Sequence, residues 1–339
     1  MSFFNRKKAN PAPASAASPV AEPPPPAADN FVGDPDALRL QAALAAGQWR
    51  EAHDFLESVR DWRMRNFYVN ALAKGTGWPR WIDEWVTARP DSSVPMLFAG
   101  WWRVNWAWEA RGGGRAKTVK QDAWPVFQAR LVQADRDLAR TAALDETDPT
   151  PLARSIWVAM GLSLGQAEVR RRFQAADQRE HLNQGACYAM IQATARKWGG
   201  SHEAMFEFAR WVSRESPEGS PNHKMIALAH IEGWLDAPNE TRGKYFLGPG
   251  VQSEIRLAAS RSVLSPRYPA DAATWADRNA FAYCFSLMED YPAALAQMEL
   301  IGPRITPAPW HFKDSRQPGK AFEVARQRAL LAASRARAR

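Results

Sequence analysis

Histidines are the residues of this sequence whose spacing most directly raises the question of metal binding or acid–base catalysis. His223 and His230 are seven residues apart on a predicted helix, which separates them by about 10 Å along the helix axis. That distance is too long for both imidazoles to bind one metal ion through bonds of about 2 Å. His202 precedes Glu203 at a predicted helix start, where capping accounts for both residues. We therefore expect no metal site, and the histidines provide no catalytic residue.

The glycine-rich segment is a poor match to a phosphate-binding loop. Gly112-Gly113-Gly114-Arg115 lacks the Gly-Lys-Ser/Thr ending of that loop, and it does not follow a predicted strand. The His-Glu-x-x-His pattern of zinc peptidases does not occur in the sequence. The sequence therefore predicts no cofactor, and it favours a protein without catalytic activity over an enzyme.

The positive charge of the chain is concentrated near its ends. The formal net charge is +8, of which residues 319–339 contribute +5 and residues 1–30 contribute +1. A folded nucleic-acid binder usually carries its basic residues on the folded surface, whereas residues 31–318 carry only +2 here. Weak contact with a membrane or with nucleic acid is therefore expected only through the basic tails.

The sequence also bears on the location of the protein. No apolar run reaches the ~18 residues typical of a transmembrane helix, and no apolar segment follows the first basic residues, as a secretory signal requires. Cys187 and Cys284 lie in apolar surroundings, which favours buried thiols and a reducing compartment. The prediction is a protein without a transmembrane segment, and by elimination a cytoplasmic location.

Composition divides the chain into three parts. Residues 1–33 are rich in Pro and Ala and are predicted to form a disordered tail. Asp34 is expected to cap the first helix of a helical-repeat domain that covers residues 34–312. Residues 313–339 are predicted to be a basic tail with a short helix at about residues 321–333.

One recurring pattern predicts the architecture of the middle part. A small or branched residue is followed by a bulky apolar residue four positions on and by a third contact residue seven positions on. Offsets of four and seven share one helix face, and a constant period of 35 residues indicates a repeated supersecondary unit. The three triples are Ala134/Leu138/Thr141, Val169/Phe173/Ala176 and Ala204/Phe208/Trp211.

Two further segments carry a family resemblance. Gly47, Trp49 and Ala52 have the spacing of the second-helix start in tetratricopeptide repeats, and Tyr291 and Ala294 repeat its aromatic and Ala positions. The chain thus resembles a degenerate tetratricopeptide-repeat protein. That resemblance implies an all-α fold, a right-handed α-solenoid of antiparallel helix pairs.

A second resemblance covers roughly residues 35–305. Trp81–Trp85, Ala107–Gly112 and Lys197–Phe206 are similar to segments of an uncharacterised bacterial helical-repeat family. This resemblance implies a helical fold and supplies no reaction and no catalytic residue.

The tryptophans suggest where a partner would bind. The chain contains 16 Trp residues, and Trp beside Arg is typical of binding hot spots, although large aromatic residues also fill cores. A helical-repeat groove suits a segment of a partner protein, so the predicted function is a protein-interaction scaffold. The candidate partner-binding residues are Trp101, Trp102, Arg103, Trp106, Trp198 and His202.

Two other functions stay open at this point. One is an enzyme of unknown reaction with a site under the 112–122 or 236–250 loops, which a compact, closed stack with converging polar residues would favour. The other is a peripheral membrane or nucleic-acid adaptor that works through the basic tails.

Overall fold

The computed structural model describes residues 26–112 and 118–337, and the regular secondary structure of those residues is entirely helical. The predicted all-α class is therefore confirmed. None of the described helices is both long enough and apolar enough to span a membrane. The α-helices in this part of the chain are α1 (Pro35–Ala45), α2 (Trp49–Ser58), α3 (Trp62–Leu72), α4 (Arg80–Ala88), α5 (Ser93–Arg111), α6 (Ala123–Leu144), α7 (Thr150–Gly161), α8 (Gln166–Arg179), α9 (Gln184–Thr194), α10 (His202–Glu215), α11 (Lys224–Asp236), α12 (Asn239–Arg242), α13 (Pro249–Ser260), α14 (Trp275–Leu287), α15 (Tyr291–Ile301), α16 (Pro307–Trp310) and α17 (Pro318–Arg337).

The first described residues form no helix, but they are held against the C-terminal part of the chain. The backbone N–H of Asp29 donates to the carbonyl oxygen of Ile305 at 3.0 Å, and Val32 is buried. Asp34 then caps α1 as predicted, because its carboxylate accepts from the backbone N–H of Ala37 at 2.8 Å. Residues 1–25 of the predicted disordered tail lie outside the described residues.

The helices form two rows. Each of α1, α3, α5, α7, α9, α11 and α14 contacts the next member of this set, which we call the inner row. The helices α2, α4, α6, α8, α10, α13 and α15 pack beside the inner row. Two apolar clusters fill the space between the rows, and the partly buried Trp108 and Trp157 contact both clusters. The inner row therefore runs through one nearly continuous core.

The inner row closes on itself. The helix α3 contacts not only α5 but also α7, α9 and the 3-10 turn at residues 272–274. Arg63 donates to Asp271 at 2.7 Å, and the buried Arg65 Nη1 donates to the buried Asp148 Oδ2 at 3.0 Å. A repeat stack in which each unit touches only its neighbours has no contacts of this range. The described residues therefore form a closed stack.

The predicted contact face of α10 is displaced by one residue. The triples of α6 and α8 are buried as predicted, but Ala204, Phe208 and Trp211 are only half-buried. Met205, Ala209 and Val212 are buried in their place. The reason is that the α10 aromatics pack against Phe173 of α8, with ring centroids 5.2 and 6.1 Å apart. The constant 35-residue period is therefore wrong at α10.

The C-terminal helix is longer than predicted and belongs to the packed body. The helix α17 spans 20 residues and contacts α14, α15 and α16. Phe322 and Ala329 are buried on its inner face, and the Phe322 ring lies 5.0 Å from the ring of Trp310. The basic residues of α17 are thus carried on a docked helix.

The closure contact of Arg65 can be tested by Asp148→Asn, which leaves a buried guanidinium without its counter-charge. Removing one partner of a buried ion pair costs about 3–5 kcal/mol, so the free energy of unfolding should fall by that order in urea denaturation. Glu84→Gln is the control, because it breaks the exposed Arg80–Glu84 pair and should leave stability nearly unchanged. Equal losses in the two variants would show that Asp148 is not a closure contact.

The register of α10 can be tested with two matched substitutions. Ala209→Leu adds volume at a fully buried position, so it should lower the free energy of unfolding by about 1–3 kcal/mol. Ala204→Leu adds the same volume at a half-buried position and should cost clearly less. If Ala204→Leu instead lowers the melting temperature more than Ala209→Leu does, the predicted contact face of α10 is correct.

Candidate functional site

Four successive helices of the inner row each contribute one polar side chain to a connected series, in which the first two are hydrogen-bonded, the second and third both lie near Trp157, and the charge of the fourth acts on the third. They are Asn105 of α5, Arg154 of α7, Tyr188 of α9 and Glu232 of α11. Lys74, just after α3, joins them at one end. These four helices are neighbours in the inner row, and the contacts of α3 with α7 and α9 bring Lys74 to the same side of it.

The first part of this surface, which we call the cationic recess, consists of Lys74, Asn105, Arg154 and Tyr188. Arg154 is 8% exposed, and its guanidinium lies 4.5 Å from the ring centroid of Trp101. Its Nη2 donates to Asn105 Oδ1, whereas its Nε is buried without an acceptor. Burial lowers the pKa of Arg154 to about 9. No carboxylate among the described residues forms an ion pair with this arginine.

Asn105 brings Lys74 to the same place. Its Nδ2 donates at 2.7 Å to the carbonyl oxygen of Ala73, so one amide side chain holds both Arg154 and the residue before Lys74. The side chain of Lys74 is exposed, yet burial by the surrounding protein, together with the charge of Arg154, lowers its pKa to about 8. A side chain that solvent can reach, but that protein atoms largely surround, lies on a concave surface.

Tyr188 shows the same combination of access and dehydration. It is 37% exposed, and its ring centroid lies 5.6 Å from that of Trp157. Burial, with a smaller contribution from Glu232, raises its pKa to about 12, while Arg154 acts in the opposite direction. The phenol is therefore neutral at physiological pH and can donate a hydrogen bond into the recess.

The other end of the surface is a neutralised group, which we call the Glu232 cluster. Glu232 is 6% exposed; its Oε2 accepts from Lys197 Nζ at 2.7 Å and its Oε1 from Gln192 Nε2 at 2.9 Å. The pair leaves little net charge at this end. The inner surface is thus cationic beside α3 and close to neutral beside α11.

Two of the predicted partner-binding residues support the cationic recess from behind. Trp101 is 3% exposed and lies under Arg154. Trp102 is 6% exposed, and its Nε1 donates to the carbonyl oxygen of Gly77 at 2.9 Å. A Cβ on Gly75 would come within 2.6 Å of the Trp102 ring, so the turn that carries Lys74 lies directly on this indole. Both tryptophans position the recess.

The other four predicted residues lie elsewhere: Arg103 and Trp106 both contact Trp78, whereas Trp198 and His202 have other partners. Arg103 pairs with Asp137 at 2.7 Å, and its guanidinium lies 3.7 Å from the Trp78 ring centroid. Trp106 lies under Arg130, 3.4 Å from ring centroid to guanidinium. Trp198 packs against Trp108 at 5.3 Å, and His202 Nε2 lies 2.9 Å from Asp236 Oδ2. The structure therefore does not join the six predicted residues into one site.

The two loops predicted to cover an enzyme site can be described only in part. Residues 113–117 of the 112–122 loop lie outside the described residues. The 236–250 segment contains α12 and is tied to α11, because the Tyr245 hydroxyl lies 3.1 Å from Nδ1 of His230. The Nε2 of that histidine lies 2.9 Å from Glu254 Oε2, and burial lowers its pKa. A cavity of about 390 Å³ beside this segment is lined in part by Trp234, Lys313 and Arg328.

The residues at 161–165 have the Gly-x-Ser-x-Gly spacing of a nucleophile elbow, which sequence reasoning missed. The structure places Ser163 in the turn between α7 and α8, with φ at +56°, and its side chain is exposed. An elbow needs a strand before the serine and a histidine beside it. In the described residues a helix precedes Ser163 and no histidine bonds to its hydroxyl. The described residues also contain no group of three His, Cys, Asp or Glu side chains that could hold a metal ion.

Sequence reasoning also missed the recess residues, although one signal was present. Arg154 is the only ionised residue in the 12-residue helix α7, whose other members are mostly apolar. A single charge in an apolar helix must find either a partner or an accessible surface. The sequence does not show which helices meet across the closed stack, so it could not join Arg154 to Lys74.

Comparison with known proteins finds no matching family model, no matching curated protein and no matching solved structure.

Proposed function

We propose that this chain is a protein-interaction module that binds a segment of a partner protein along the inner row. The observation that carries the proposal is the series of side chains from four successive helices, Asn105, Arg154, Tyr188 and Glu232, on one surface. The proposal includes the finer architecture, a right-handed solenoid of antiparallel, degenerate tetratricopeptide-like pairs. It also includes a cytoplasmic location, which the free, buried thiols of Cys187 and Cys284 support.

The chemistry of the inner surface supports a peptide ligand. Tyr188 and Trp157 form an aromatic pair, and Tyr188 is 37% exposed; aromatic side chains are frequent anchors in interfaces. Lys197 is 46% exposed and keeps donor capacity beyond its bond to Glu232. An extended segment would thus meet an aromatic contact between two polar contacts.

An enzyme remains the second candidate because of one observation. Lys74 has a pKa lowered to about 8, mainly by burial, and a dehydrated amine of this kind is a better nucleophile near neutral pH. The closed stack with converging polar groups is the arrangement that favours an enzyme. A Lys74 amine that forms a borohydride-trappable adduct with a carbonyl compound, and loses it in Lys74→Arg, would support this candidate.

The tail-based adaptor has weaker support. Arg326 of α17 pairs with Glu323, and Arg328 pairs with Glu289, so part of the basic charge is already neutralised. Lys320 and Arg335 are exposed. An adaptor that works through α17 would depend on these remaining charges.

The proposal predicts that Tyr188→Ala will lower the recovery of a specific partner by about tenfold or more, since truncating a hot spot costs about 2 kcal/mol or more. The measurement is quantitative affinity capture from native cell extract with the full chain as bait. Arg171→Ala is the matched control, because Arg171 is 67% exposed on α8, outside the inner row.

Two outcomes would redirect the assignment. Capture that is unchanged by Tyr188→Ala would remove the inner surface from partner binding. Capture that is lost when Lys320 and Arg335 are both changed to Glu, with Tyr188→Ala still active, would establish the adaptor. Melting temperatures of all variants show that each remains folded.

A further inference from the structure

We propose that the cationic recess is an oxyanion site that takes a phosphate group, held by Lys74, Arg154 and the hydroxyl of Tyr188. The inference deepens the proposed function, because it names the chemistry that one end of the same inner surface recognises. The phosphate group belongs either to a small phosphate ester or to a phosphorylated side chain of the bound segment.

Arg154 differs from two other buried arginines in having no carboxylate partner among the described residues. Arg65 and Arg172 are buried to a similar degree, at 3% and 8% exposure, and each meets a carboxylate, Asp148 and Asp135 respectively. Arg154 has the same burial, but within residues 26–112 and 118–337 its side chain bonds only to the neutral amide of Asn105. A buried cation without a counter-charge is costly, so this arrangement is explained by an anion that arrives from outside the chain.

The cationic recess contains three hydrogen-bond donors that are available to a ligand. Arg154 Nη1, Lys74 Nζ and the Tyr188 hydroxyl have no hydrogen-bond acceptor among the described residues. These donors come from α7, the turn after α3, and α9, and the side chains of Lys74 and Tyr188 are accessible from solvent. Three donors from three elements around one accessible surface are the donor set that a tetrahedral oxyanion needs.

The number of charges favours phosphate over a single carboxylate. Lys74 and Arg154 are close enough that the charge of the arginine lowers the pKa of the lysine. A monoanion would leave one of these two cations without compensation, whereas a phosphate group carries about −1.5 to −2 at pH 7. The neighbouring Glu232 does not supply the missing charge, because Lys197 and Gln192 already bond to its carboxylate oxygens.

The supports of the two cations are preorganised. Trp101 lies beneath the guanidinium of Arg154, and Trp102 lies beneath the turn that carries Lys74. Asn105 bonds to Arg154 and to the backbone of Ala73. Groups that are held before the ligand arrives lose less conformational entropy on binding.

The experiment is calorimetric titration of the full chain with inorganic phosphate and with sulfate at low ionic strength. We expect saturable binding of both dianions, and we expect Arg154→Gln and Lys74→Gln each to weaken it about tenfold or more, as loss of a charge-assisted contact does. Arg214→Gln removes an exposed charge on α10 and should leave binding unchanged. Acetate that binds as tightly as phosphate, or equal effects of all three variants, would overturn the assignment.

The pH dependence gives a second test, and sulfate is the suitable probe because it does not titrate in this range. The pKa of Lys74 is lowered to about 8, so its ammonium is present below that value and is lost as the pH rises through it. Sulfate affinity should therefore fall above pH 8 in the wild type. In Lys74→Arg the affinity should stay nearly flat through pH 8 and fall only as the pH approaches about 9, the value to which burial lowers the pKa of Arg154; a wild-type profile that is equally flat through pH 8 counts against Lys74.

A stability measurement separates a binding role from a structural role. If Arg154 serves the anion, the unliganded Arg154→Gln variant should melt at the wild-type temperature or above it, and phosphate should raise the melting temperature of the wild type more than that of the variant. A variant that melts well below the unliganded wild type would instead make Arg154 a structural residue and overturn the inference.

The source of the phosphate group, and the link to the partner, are decided by two further comparisons. A phosphoserine peptide that binds much more tightly than inorganic phosphate, with its unphosphorylated form inactive, assigns the group to the partner, and equal affinities assign it to a small ester. An absence of phosphate binding overturns this inference and leaves the Tyr188→Ala capture result to decide the proposed function. If phosphate binds but Tyr188→Ala does not change capture, the oxyanion site stands and the proposal of partner binding along the inner row fails.

Discussion

The buried side chain of Arg65 joins three parts of the chain that are far apart in sequence. Its Nη2 donates to the carbonyl oxygens of Leu56 and Val59 at the end of α2, at 3.3 and 3.2 Å, while Nη1 donates to Asp148 before α7. These bonds hold α3 across the inner row rather than at its edge. The curvature of the stack, and with it the approach of Lys74 to Arg154, depends on α3 being held there.

The cations along the inner row have two kinds of surroundings. Several cations packed against it pair with a carboxylate, as Lys224 does with the fully buried Asp277. Such pairs offset the cost of dehydration inside the protein and give the fold its register. Arg154 is placed among aromatic rings instead, and a flat guanidinium above an indole is stabilised without being neutralised. The contrast separates charges that hold the fold together from a charge that is left for a ligand.

The sequence predicted the local structure far better than it predicted the residues of the site. The Ala134/Leu138/Thr141 face of α6 is buried as predicted, and the Asp34 cap forms as expected. These features depend on neighbours a few residues away, which the sequence displays directly. The register of α10 was missed because Phe208 and Trp211 have two apolar surfaces to choose from, and the choice depends on Phe173 of another helix.

The site depends on contacts between distant residues, which periodicity does not report. Offsets of four and seven identify the face by which a helix packs on its nearest partner, but Arg63 meets Asp271 across more than 200 positions. The abundance of Trp led to α5, which carries four of the six predicted partner-binding residues. The sequence could not show that Trp101 and Trp102 would face inward, carrying the recess on their rings.

Closure also changes the way this stack should unfold. In an open array each repeat is stabilised only by its neighbours, so the ends fray and the units melt nearly one by one. Here Asp29 bonds to Ile305, and α17 covers the last helices with Phe322, so neither end of the described stack is a free terminal unit. Loss of one member breaks contacts with both flanks and with distant members, which couples the parts into a single cooperative transition. We therefore expect this chain of helical units to unfold as a single-domain protein does, in one transition. We also expect its inner surface to keep one shape, whereas the surface of an open repeat array can bend.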